Sequence, residues 1–285
     1  MDSSLPQSST SNAERKAENS LKFPTRTQFL KTYLRQSFSL PDSIMHYMAQ
    51  NPPSPEVYEK LVKCCKYFFI KNQIIILSNT AYYNNEWRIY GNTGERINID
   101  LSNISIKYWI TGYLSVRRTN DNTIASSLIS KIYKCNVRHL SLINQICSFD
   151  EFMVLASSNV EALRLFRVTV KYGDGTEVHL EKIVEQLPKV KSIDIYCPPN
   201  TSMITSKTMQ ELCKIPHFAK LDYFTLMDIP EAFNLESFSS YMKKNKITCV
   251  DLGFCDSISD GYKGRLEALV DEIIEADNRE YKSPF

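Results

Sequence analysis

The side chains with the chemistry of nucleophiles, bases and metal ligands are two adjacent thiols, Cys64 and Cys65, four histidines at 46, 139, 179 and 217, and an acidic set, Glu267, Asp271, Glu272 and Glu275. Covalent catalysis needs a nucleophile, a base within hydrogen-bond reach and a third group to orient the base. Adjacent residues on a helix point in different directions, and neither thiol has a predicted base beside it. The histidines fall in four different predicted elements, with no His-Glu-x-x-His, Cys-x-x-Cys or glycine-rich phosphate loop near them. The acidic set recurs at helical spacing and reads as the solvated face of a helix. The expected role is therefore binding rather than catalysis, with no catalytic residue, metal or cofactor.

Composition narrows what is bound. Of the 285 residues, 43% are hydrophobic and 23% charged, which suits a folded chain with a real core and room for two domains. The net charge of +2, with no concentrated Lys/Arg block, argues against a nucleic-acid partner, because phosphate neutralisation needs clustered cations. Eight scattered cysteines do not form a disulfide framework; as small buried hydrophobes they fit a reducing cytoplasmic or nuclear compartment. The sequons at Asn103 and Asn200 read as chance, since Met1-Asp2-Ser3-Ser4 opens no apolar signal core. No apolar run approaches the roughly 18 residues of a membrane helix, so no membrane partner is expected.

Residues 1–20 are too polar to bury surface that would offset ordering, and are expected as a disordered tail. A short helix is predicted after Pro24, from Thr25 to Leu34. Ile44, Met45 and Met48 then recur at helical spacing until Asn51-Pro52-Pro53 stops the helix. Ser54 is an N-cap with Pro55 at the first helical position, and from Val57 to Phe69 a broad apolar face reaches around much of the next helix. That much apolar surface requires a cover, from another domain or another protein.

From Asn72 to Val116 the pattern changes to strands and turns: Gln73–Leu77, Trp87–Tyr90, Ile97–Ile99 and Trp109–Val116, with a turn at Gly91-Asn92-Thr93-Gly94. After Ile129 a cadence sets in, in which short segments with apolar residues two apart alternate with helical stretches. Leu140, Leu163, Ile193, Phe224 and Val250 occupy equivalent positions, at steps of 23, 30, 31 and 26 residues. Leucine-rich repeats recur at about 20–29 residues, each supplying a strand and a helix or turn, so the cadence predicts an irregular stack of such units. Tyr262–Ala276, apolar at helical spacing, is the predicted closing helix.

Ser39-Leu40-Pro41-Asp42-Ser43-Ile44-Met45, followed by Val57 through Phe69, resembles an F-box, and the later repeats resemble the degenerate leucine-rich body of the F-box-like families expanded in nematodes. The resemblance covers about residues 38–276. It implies an α/β chain in which an F-box-like helical module at 21–71 precedes an irregular leucine-rich-repeat-like solenoid at 72–285. It further implies docking on a Skp-type adaptor, and through it a cullin. Leu40, Pro41, Ile44 and Met45 would form the first docking group, with Leu61, Val62, Cys65 and Phe68 in or beneath the second. The chain departs from the pattern where Asn51-Pro52-Pro53-Ser54-Pro55 replaces an apolar connector, and where Phe68 or Phe69 stands for a Trp.

If the apolar residues of each strand face a core, their alternates face out. Ser141, Arg164, Asp194, Thr225 and Asp251 are then the expected target-binding strip, with Phe166 and Tyr196 as aromatic anchors. The expected function is recruitment of a protein target to a ubiquitin ligase. The alternative is a noncatalytic interaction scaffold that keeps the helical cap without ligase coupling.

Overall fold

The computed structural model describes residues 20–21, 26–34, 36–91, 95–101, 106–117 and 121–275. The expected tail therefore lies outside the described residues up to 19, as do the Asn92-Thr93-Gly94 part of the predicted turn, the sequon at Asn103 and the final Ala276 of the closing helix.

The amino-terminal helices are α1 (Arg26–Leu30), α2 (Asp42–Gln50), α3 (Pro55–Cys64) and α4 (Lys66–Lys71). Ser54 caps α3 by accepting a hydrogen bond from the Val57 N–H at 3.3 Å, with Pro55 in the first turn as expected. The helix predicted to run unbroken from Val57 to Phe69 is divided at Cys65, whose backbone is extended. Its N–H closes α3 on the Leu61 carbonyl, and its Sγ accepts from the Tyr67 N–H to open α4. This change of direction lets Cys65 and Phe68 join Met45 and Ala49 in one buried cluster, which a straight helix would spread around its circumference.

A ten-stranded sheet makes the rest of the framework. Its strands are β1 (Ser20–Leu21), β2 (Ile74–Tyr83), β3 (Glu86–Tyr90), β4 (Arg96–Ile99), β5 (Lys107–Arg117), β6 (Ile132–Ile143), β8 (Ala162–Phe166), β10 (Ser192–Tyr196), β11 (Tyr223–Ile229) and β12 (Cys249–Phe254). A separate parallel pair, β7 (Ile146–Ser148) and β9 (Thr169–Lys171), lies beside it. The spatial order is β1-β4-β3-β2-β5-β6-β8-β10-β11-β12. From β2 through β5 to β12 every neighbouring pair is parallel, and strands follow one another in chain order. The cadence read from the sequence after Ile129 thus begins two strands earlier, at β2.

Parallel neighbours need a crossover, and here the crossovers include α5 (Ile124–Ile129), α6 (Phe149–Leu155), α7 (Leu180–Glu185), α8 (Thr208–Leu212) and α9 (Leu235–Lys244), with α10 (Asp260–Glu275) after the last strand. Phe152, Ile183, Leu212 and Phe238 from these helices are buried in one cluster with Leu140, Leu163, Ile193 and Phe224 from the strands, so the helices cover one face of the sheet. The five positions picked out as equivalent stand in one row across the sheet: Leu140 beside Leu163, Ile193, Phe224 and Val250. Leu142, Leu165, Ile195, Leu226 and Leu252 form the next inward row. The overall architecture is mixed α/β around a large, mostly parallel sheet.

Two irregularities carry physical information. Gly112 has φ +69, and a Cβ there would lie 2.6 Å from Asn79 Oδ1; Asn79, on the facing strand, is itself left-handed at φ 51. Register shifts in β2, β5 and β6 at this level make one bulge shared across three strands. Gln145, fully buried at the end of β6, accepts from the Ala125 N–H and donates to the carbonyls of Ile143 and Asn144, so a polar side chain closes the corner without an unsatisfied group.

Candidate docking head and open sheet face

The helical head is fastened to the sheet face opposite α5–α10. Along β2, Ile74 and Ile76 alternate with Ile75 and Leu77: the latter pair meets the helix-covered core, and the former meets Tyr58, Val62, Trp109 and Tyr133. The Tyr58 hydroxyl donates to the Asn72 carbonyl at 2.6 Å and accepts from the Ile74 N–H at 3.2 Å. Burial, outweighing the bond from the Ile74 N–H, pushes the phenol up to about 12, and the nearby Tyr133 adds to the shift. Tyr133 donates to the Gln50 carbonyl, and the Trp109 indole N–H donates to Asn136 while its ring packs edge-on against Tyr133.

The residues expected to dock on an adaptor divide between the inside and the outside of this head. Met45, Cys65 and Phe68 are buried, and Leu61 and Val62 are half-buried against the same clusters, so these five pack chiefly inside the head. Leu40, Pro41 and Ile44 are exposed. Tyr47, which sequence reasoning did not single out, is 67% exposed and three residues after Ile44, on the same side of α2. Val57 adds a further exposed aliphatic on α3. The missed signal was the spacing of 40, 44 and 47, a helical stripe that continues the Leu-Pro pair.

On the sheet, the expected target-binding residues are brought together in one row. Ser141 is beside Arg164, Arg164 beside Asp194, Asp194 beside Thr225 and Thr225 beside Asp251, on the face away from α5–α10. Ser141 is buried, so the accessible part of this row starts at Arg164. The next row outward is Ile143, Phe166, Tyr196 and Met227. The Phe166 and Tyr196 rings have centroids 4.8 Å apart, and the Arg167 guanidinium lies over Phe166. Met227 fits because residue 253 is glycine: a Cβ there would come within 2.5 Å of the thioether sulfur. Met227 and the 55%-exposed Tyr223 were not anticipated; both follow from extending the alternation of β11 by two residues each way from Thr225.

Charge on this row is uneven. Arg164 Nε contacts Asp194 Oδ2 at 3.2 Å, but Asp194 Oδ1 is shielded from water with no hydrogen-bond partner. Burial raises the Asp194 carboxyl above its ordinary range; Arg164 opposes the shift and the nearby Asp251 adds to it. Asp251 is exposed.

The other reactive side chains stay apart. His46 lies on α2, His139 on β6, His179 ahead of α7 and His217 ahead of a 3-10 turn at Phe218–Lys220, where its Nε2 meets the Val184 carbonyl. Cys64 is exposed, whereas Cys65 is buried with its thiol on Gln36 Oε1. Glu267, Asp271 and Glu272 are exposed on α10, and Glu272 pairs with Lys243. Among the described residues no group of three or more His, Cys, Asp or Glu is placed to hold a metal ion, and no helix is long and apolar enough to cross a membrane. No family profile, curated protein or solved structure matches the chain.

Proposed function

We propose that this chain is a noncatalytic receptor that holds a protein target on its open sheet face and docks through its helical head on a Skp-type adaptor, and thereby a cullin, for ubiquitin transfer. The gain in transfer would come from proximity, with no reacting group supplied by the receptor itself. The observation that carries the reading is the exposure of Leu40, Ile44 and Tyr47 along one side of a head whose Met45, Ala49, Tyr58, Cys65 and Phe68 are packed inside. A folded chain rarely leaves such a stripe uncovered without an interaction to make there.

The body supports the same reading. Seven parallel strands in chain order, with every crossover helix on one face, agree with a leucine-rich-repeat-like solenoid whose free face is available for recognition. Eight unpaired cysteines are in keeping with a cytoplasmic or nuclear site of action.

The test is the affinity of the full chain for the host's Skp-type adaptor, with Leu40 and Pro41 both replaced by alanine as the control. Binding at micromolar or tighter Kd, lost in the double variant while its thermal transition stays unchanged, is expected. Retained affinity in that variant would sink the docking assignment. The second reading, a scaffold uncoupled from any ligase, is favoured by the packing of Tyr58 and Val62 on Ile74 and Trp109, which covers the inner side of the head without an adaptor. It predicts no adaptor binding by the unaltered chain.

A further inference from the structure

The open face contains a local imbalance of charge that specifies what kind of segment it holds. Arg164, Asp194 and Asp251 stand in one cross-sheet row, with Thr225 between the two carboxylates. One guanidinium against two carboxyl groups leaves the acidic side chains in excess. Arg164 engages only the Oδ2 edge of Asp194, from the β8 side, and no ion pair among the described residues reaches Asp251. Neighbouring strands are about 4.8 Å apart, so a group over Thr225 lies about that distance in projection from both flanking positions. The other residues around Thr225 on this face are Tyr223 and Met227 on its own strand, Ser192 and Tyr196 on β10, and Cys249 and Gly253 on β12. None is cationic, and the two tyrosines offer ring faces that attract a cation.

We infer that the open face takes an extended peptide segment of the target bearing a lysine or arginine, whose cationic head seats over Thr225 between Asp194 and Asp251 while an adjacent apolar side chain lies on the Phe166–Tyr196–Met227 shelf. This rests on the reading of the sheet face as the target site and adds the chemistry of the target. The shelf is the next row of the same face, so a segment crossing the strands can touch both rows with alternate side chains. The half-buried aromatic pair supplies area at little entropic cost, and the carboxylates supply orientation and selectivity.

The experiment is selection of random octapeptides displayed on phage against the immobilised full chain, followed by direct affinity measurement on the selected peptides. Enrichment of Lys or Arg next to an aliphatic or aromatic residue is expected. Affinity should fall about tenfold or more in Asp251→Asn, the scale of losing one charge-assisted contact, and should weaken with added salt. Asp251 is exposed and outside the core, so this variant tests the charge without endangering the fold, and its thermal transition is measured alongside. Peptides without a basic residue whose binding is lost in Tyr196→Ala but unchanged in Asp251→Asn would overturn the cation inference and leave the recognition face standing. Peptides unaffected by either replacement, or no enrichment at all, would overturn both.

Discussion

At the scale of single residues, burial dominates electrostatics, and two results follow. Asp194 has a raised carboxyl pKa because desolvation outweighs its contact with Arg164. A carboxyl that binds its proton more tightly when folded than unfolded contributes stability below its unfolded value of 3.8, and that contribution is lost as pH rises through the folded pKa. Asp194→Asn should therefore match the unaltered chain near pH 3 and become the more stable of the two toward pH 7, as read from paired thermal melts. A variant that loses ground with rising pH would show that the Arg164 pair is worth more than the burial costs. Thiol reactivity divides the same way. Cys135, Cys147 and Cys197 are pushed up to about 12 by burial, and Cys213, although exposed at its surface, is also raised by partial burial against the opposing influence of Lys244. Iodoacetamide at pH 8 should label Cys64 ahead of Cys213 and leave the three buried thiols intact until denaturant is added, as followed by mass spectrometry. Rapid native labelling of Cys147 would instead reveal opening of the corner where β7 meets β9.

At the scale of elements, local signals set the helices and long-range register sets the strands. Ser148 and Glu151 form a reciprocal capping box at the start of α6, and Glu151 also accepts from Ser126 on α5. Ser148→Ala should cost about 1 kcal/mol, whereas Gly112→Ala should cost more, since the left-handed backbone alone disfavours a Cβ by about 1–2 kcal/mol and Asn79 Oδ1 blocks its place. Urea titrations of the two variants give the order directly, and a Gly112→Ala chain no less stable than the Ser148→Ala chain would mean that the three-strand bulge can relax. The Ser54–Pro55 start and the inward rows through Leu140 and Leu163 were legible because each depends on neighbours a few residues away. The stop at Cys65 was not, since an apolar run gives the same periodicity whether or not it bends to share a core with Met45. The parallel course of β2 and β5 was equally hidden, because their pairing joins residues some 30 positions apart, interrupted by the β3–β4 excursion. Of the candidate site, alternation alone placed Arg164, Asp194, Thr225 and Asp251 in one row. It could not reveal the burial of Ser141, which depends on the strands and loops that surround it.

For the molecule as a whole, the decisive question is whether the head and the sheet are one cooperative unit, because the proposed receptor role transmits geometry only if the head and the open face are rigidly related. The division expected at residue 71 is crossed by the buried Tyr58, whose hydroxyl serves both the Asn72 carbonyl and the Ile74 N–H, by the packing of Tyr58 and Val62 with Ile74 and Trp109, and by the bond from Tyr133 to Gln50. Tyr58→Phe keeps the ring and removes both hydroxyl bonds, leaving the Asn72 carbonyl and the Ile74 N–H with the 3.0 Å bond they make to each other, a loss of about 1–3 kcal/mol concentrated at the junction. The chain has two tryptophans, so Trp87→Phe leaves Trp109 as a fluorescent reporter of that junction. In this background the urea transition followed by Trp109 emission should coincide with that followed by far-ultraviolet circular dichroism, which averages over the sheet and its helices. Adding Tyr58→Phe should move the fluorescence transition to lower urea while the dichroism midpoint shifts less, separating the two curves. Separate curves before that replacement would mean that the head is an independent domain. Its Leu40–Ile44–Tyr47 stripe and the Arg164–Asp251 row would then be joined by contacts too weak to fix their relative placement, and the proposed recruitment would have to rely on tethering alone.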